Sequence, residues 1–264
     1  MKQVLKEEIT VLKSVVKTLD KKIVIIFISL AILQTISWYY TSRRFFRKNL
    51  LNYFQDNPLA DLYNFIYWFL GDFLTYFILP VLIIRFILKE KVSDYGLKAG
   101  DYHKGFKLTV FFTSLMILLI WFISSDISFN YTYPQLHSAR ENWLIFLIFE
   151  AGMMIYMFAW EFIWRGYLLF GLEKVFGYYA VMIQMIPFVI LHNGKPELET
   201  FSSILGGIAL GILALRTRSF LYGFFIHFGI IFSIDLFSTL RYRTGQFGIG
   251  ISSFITIFKN IIGV

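Results

Sequence analysis

The chain contains no cysteine, so disulfides, thiol nucleophiles and thiolate metal sites are all excluded. Charge is scarce as well: Asp, Glu, Lys and Arg make up 16% of the 264 residues, where a soluble domain carries nearer a quarter. Proline is rare, with five residues, and no internal repeat is visible, which argues against an inverted-repeat transporter. What fills the sequence is apolar. Hydrophobic residues reach 57%, aromatics 20%, and the mean hydropathy is +0.64. Long apolar runs with aromatic edges are the mark of an integral membrane protein. The formal net charge of +8 is then juxtamembrane Lys and Arg facing anionic lipid, and no nucleic-acid partner is expected.

The apolar runs organise the chain as an all-α polytopic membrane helix bundle of about seven to eight spans. They run over 23–40, 62–88, 108–123, 142–172, 178–191, 200–215 and 220–240, with an eighth segment over 247–264 broken by Lys259. A kink is expected at Pro80. Residues 1–22 read as an amphipathic helix on the cytoplasmic surface, with Val4, Leu5, Ile9, Leu12 and Val16 largely on one face. Residues 23–141 form N-terminal spans, 142–241 a functional core, and 242–264 a C-terminal apolar segment. Basic residues around 2–22, 89–107 and 216–218 put the N-terminus inside, while Arg43, Arg44, Arg47 and Lys48, in a loop after the first span, run against that assignment.

Three ionisable side chains lie in apolar runs where a bilayer disfavours them: Glu161, His192 and His227. Helix rise places them about 16, 21 and 12 Å from the cytoplasmic ends of their runs, one layer of the inner half. Carboxylate and imidazole are the groups most used for proton transfer and metal ligation. Bland readings exist: Glu161 and Arg165 are an i, i+4 pair that can be a structural ion pair, and a histidine in a span can simply be hydrogen-bonded in packing. Gly207 and Gly211 fit close helix packing. Asp235, eight residues beyond His227, lies about 12 Å further along its helix, too far to share one ion with it, and is read as orienting His192. Glu150, about three turns from Glu161, receives no role.

Trp160-Glu161-Phe162-Ile163-Trp164-Arg165, then Phe188-Val189-Ile190-Leu191-His192, then His227 resemble in order and spacing the motifs of the CPBP family. That family comprises the CAAX prenyl proteases and the bacterial Abi, bacteriocin-processing and self-immunity proteins. Two positions depart from its pattern: Trp160 stands where the first Glu of a Glu-Glu pair is usual, and Ile231 where Asn or Asp follows the last histidine. The Trp-Glu form resembles a bacterial subgroup. The resemblance implies a CAAX-protease-like core in the bacterial cytoplasmic membrane, hydrolysing peptide bonds of a membrane-associated protein or peptide. It implies Glu161 as the base that activates water, His192 and His227 positioning water, donating to the oxyanion or binding a metal such as zinc with Glu161, and Arg165, Glu199 and Asp235 in support. The departures leave open a non-catalytic scaffold or immunity protein, and the buried acid and histidines a proton-coupled transporter.

Overall fold

The computed structural model describes residues 1–262; the last two residues of the expected C-terminal segment lie outside them. Among the described residues, six helices are long and apolar enough to cross a membrane: Lys21–Asn49 (α2), Ala60–Ile87 (α3), Tyr102–Ile123 (α4), Trp143–Phe176 (α5), Glu197–Thr217 (α7) and Leu221–Thr244 (α8). The chain is therefore a helical multi-pass membrane protein. The fifth and eighth apolar runs are helical but short, Tyr179–Ile190 (α6) and Ile251–Ile262 (α9). Twelve residues rise only about 18 Å against a hydrocarbon thickness of about 30 Å. The sequence Asn193-Gly194-Lys195-Pro196, with Gly194 at φ +96°, stops α6 before it can extend. An N-terminal helix, Lys2–Thr18 (α1), buries no residue against the bundle.

Local chemistry sets the helix ends. Asp20, Asp101 and Asn142 accept backbone N–H bonds from Ile23, Lys104 and Leu144, so α2, α4 and α5 each begin behind a side-chain cap. The basic stretch at Arg43–Asn49 is helical rather than a loop, because Ser42 accepts from Phe45 N and restarts the helix after a π-turn at Ser37–Thr41. In α3 the helix winds as π turns at Leu74–Ile78 and Ile83–Ile87 on either side of Pro80. The bonding shift spreads the missing proline N–H over two turns.

The long α5 forms the centre, packed by α3, α8 and the short α6, whereas α4 lies against α8 at the periphery with 6% of its apolar window buried. Helix association in lipid depends on close packing rather than on water exclusion. At Gly211 a Cβ would stand 2.8 Å from Gln184 Nε2 and 2.9 Å from Val181 Cγ1, so α6 and α7 touch backbone-close there. Gln184 Nε2 also donates to Gly207 O at 2.8 Å. Buried polar groups tie the remaining elements. Asp72 of α3 accepts from Ser37, Thr41 and Trp68 at 2.7, 3.0 and 2.7 Å. Arg241 of α8 donates to Ser124 Oγ and to the carbonyls of Trp121, Gln246 and Gly248. Ser238 of α8 donates to Tyr133 O and so pins the 124–141 connector over the core.

Candidate active site

Glu161 ends the regular α-helical part of α5, and the π-wound turn Phe162–Leu168 follows. That winding carries Arg165 back onto Glu161: Nη1 donates to Oε1 at 2.9 Å, and both side chains are fully buried. The guanidinium lies flat over the Phe188 ring of α6, 4.0 Å from its centroid, which covers a charge face that has no water. From α8, His227 Nδ1 donates to the same Glu161 oxygen at 2.7 Å. Gly223, one turn earlier, lets α8 close on α5, since a Cβ there would sit 3.0 Å from Glu161 Oε2.

His192 follows the last turn of α6. There the backbone tightens, with Leu191 N bonding to Pro187 O and His192 N to Val189 O, and the Phe188 carbonyl is left without a helical donor. His192 Nδ1 takes that carbonyl at 2.7 Å. This partner displaces the expected one: Asp235 does not orient His192, because the frayed helix end already supplies an acceptor. Both histidines thus spend the Nδ1 hydrogen on an acceptor, and each neutral ring keeps its lone pair on Nε2. The two rings lie 6.5 Å apart, near parallel at 18°, with Phe188 against both.

The histidines line one cavity of about 60 Å³. Trp160, Tyr156, Trp68 and Ile231 give it an aromatic and apolar wall; Lys195, Glu199 and Asp235 give it a charged one. Glu199 Oε1 accepts from Lys195 Nζ at 2.6 Å, and its other oxygen accepts from the Tyr133 hydroxyl. Burial, reinforced by the Glu199 carboxylate, pushes the Tyr133 phenol up, so it remains a donor at neutral pH. Glu161 is absent from the cavity wall and wholly buried behind His227. Its contact with the cavity runs through the His227 ring. The ring of Trp160 lies 6.2 Å from that of His192.

The expected zinc set of Glu161, His192 and His227 does not fit. Glu161 Oε1 is shared by Arg165 and His227, and Glu161 is not on the wall of the cavity that the two histidines line. Among the described residues no group of three or more His, Cys, Asp or Glu side chains is placed to hold a metal ion.

Three participants escaped the reading of the sequence. Glu150, eleven residues and about three turns before Glu161 on nearly the same face, turns towards Asp235; that spacing was the available signal. Lys195 and Tyr133 enter the cavity from connectors, where no periodicity points to a face.

Residues 141–233 match the family model described as Rce1-like, type II CAAX prenyl endopeptidase. No curated protein and no solved structure matches the chain. The matched segment runs from the cap of α5 through α6 and α7 into α8 and holds Glu161, Arg165, His192 and His227. The segment that carries the site is thus similar to the Rce1-like, type II CAAX prenyl endopeptidase family.

Proposed function

We propose that the chain is an intramembrane peptidase that hydrolyses a peptide bond in a membrane-associated protein or peptide. The observation that carries this reading is the pair of imidazoles, His192 and His227, lining one cavity with each Nδ1 already committed. His227 is the base. Its Nε2 takes a proton from water as the water oxygen attacks the peptide carbonyl carbon, and Glu161 stabilises the imidazolium from behind. His192 Nε2 accepts the second water hydrogen and fixes the water's direction. The imidazolium of His227 then returns the proton to the amide nitrogen as the C–N bond breaks, which releases an amine and a carboxylic acid that keeps the second water hydrogen. The oxyanion is faced by the charged wall that holds Lys195.

The test is cleavage of a membrane-peptide library by the purified protein in lipid. His192→Ala and His227→Ala are each expected to lower turnover by about 10²- to 10⁴-fold; unchanged turnover in both rejects the reading. A second reading, a non-catalytic scaffold or immunity protein, has its own support in Trp160 and Ile231, which present apolar surface to the cavity at both departing positions. It predicts that a cellular phenotype survives His227→Ala and is lost with substitutions on the outer helix faces.

The bacterial cytoplasmic membrane and an inside N-terminus belong to the same proposal, supported by the basic residues of α1 and of the connectors near residues 89–107 and 216–218. Residues 1–22 would lie on that surface, residues 142–241 would form the catalytic part, and the other segments would frame it. A chain without cysteine suits a direct test: Ser14→Cys should be labelled by membrane-impermeant thiol reagents only in opened cells or inverted vesicles.

A further inference from the structure

α8 carries a second ionisable group that the proposed reaction does not use. Asp235 lies eight residues beyond His227, about 12 Å along the axis. It lines the same cavity, yet it is 2% exposed and its Oδ1 has no hydrogen-bond partner. Glu150 of α5 faces it, 4% exposed, with both carboxyl oxygens unpartnered. The cations within electrostatic reach of Asp235 are already engaged: Lys195 Nζ on Glu199, and Arg140 Nη2 on Tyr133 O at 2.8 Å. Two buried carboxyl groups within reach of one another and with no outside donor must share a proton or take a cation, and the cavity gives a cation a way to Asp235. Glu199, also on the cavity wall, adds a third carboxylate to the same end.

We propose that Asp235, backed by Glu150, is a specificity site for a basic side chain, lysine or arginine, of the peptide substrate. This rests on the peptidase reading and adds a position to it. An extended chain advances about 3.3 Å per residue, so a 12 Å offset from His227 sets the basic residue three to four residues from the bond that is cut. The aromatic wall of Trp68, Tyr156 and Trp160 would hold the apolar residues between them.

The test separates binding from cleavage. His227→Ala protein in lipid nanodiscs is titrated with fluorescent leucine–alanine peptides carrying a single lysine, arginine, norleucine or glutamate. Lysine and arginine peptides are expected to bind about tenfold tighter than norleucine peptides, equivalent to about 1.4 kcal/mol. Adding Asp235→Asn should bring that ratio to about one, and Asp235→Glu should retain it. A Glu150→Gln variant should lower the ratio without removing it, which guards against a folding defect at one position. With the unsubstituted catalytic core, the same ratio should appear in kcat/KM, for lysine three to four residues from the cut. Cleavage with no preference for a basic residue overturns the specificity site and leaves the peptidase standing. Absence of cleavage together with an Asp235-dependent binding preference rejects the peptidase and keeps the site. Equal binding of lysine and norleucine peptides overturns the proposal and assigns the two carboxyl groups a shared proton instead.

Discussion

His227 Nδ1 lies 2.7 Å from Glu161 Oε1, the same oxygen that Arg165 Nη1 reaches at 2.9 Å. One buried carboxylate oxygen thus joins α5 to α8 and sets the tautomer of the imidazole that faces the cavity.

Because Glu161 acts through His227, Glu161→Gln should lower kcat by about 10²-fold or more while moving KM little. The double substitution with His227→Ala should cost no more than His227→Ala alone. Steady-state kinetics on a cleavable peptide decides this, and additive losses would show that Glu161 acts independently.

The Glu161–Arg165 pair is also structural. Glu161→Ala leaves a guanidinium with no water and no acceptor, so unfolding stability should fall by about 3–5 kcal/mol. Exchanging both residues together for apolar ones of similar volume should recover much of that loss. Thermal unfolding in detergent compares the single and double variants.

Asp72 accepts three hydrogen bonds, and the two from Ser37 and Thr41 hold α2 to α3. Asp72→Ala orphans the donors of Ser37, Thr41 and Trp68, at about 1–3 kcal/mol for each buried group left unmade. The resulting drop in melting temperature should be accompanied by increased proteolysis in the connector between α2 and α3.

At Gly211 an added side chain must separate α6 from α7, and α6 carries His192 at its end. Gly211→Leu should destabilise the protein by about 1–3 kcal/mol and reduce turnover, whereas Gly206→Leu, where a Cβ meets nothing within 4 Å, should do neither.

Outside the spans, Glu90 accepts from Lys22 at 2.7 Å and from the Tyr95 hydroxyl. Partial burial would raise its proton affinity, but these two donors hold the carboxyl below its usual value of 4.5. A depressed carboxyl contributes stability that is complete above the unfolded value and disappears as pH falls through the folded one. The melting-temperature gap between the native protein and Glu90→Gln should therefore be constant near neutral pH and close on the acid side of 4.5.

Composition alone determined that the chain is a membrane bundle, because apolar runs of this length have no other way to satisfy their backbone than as helices. Spacing along α5 also determined that Glu161 and Arg165 share a face. Of the seven to eight apolar runs, six are helices long enough to span among the described residues, and α6 stops at turn residues that hydropathy does not weigh. The partners of the site were decided in three dimensions. Counting helix rise gives the depth of a residue but not the direction it faces. The carbonyl left bare at the end of α6 took His192 away from Asp235, and close packing at Gly223 delivered His227 to the oxygen that Arg165 already holds. Each of these depends on how helix ends and helix surfaces meet, which a one-dimensional pattern does not encode, and together they placed Glu161 behind the histidine and Asp235 opposite Glu150.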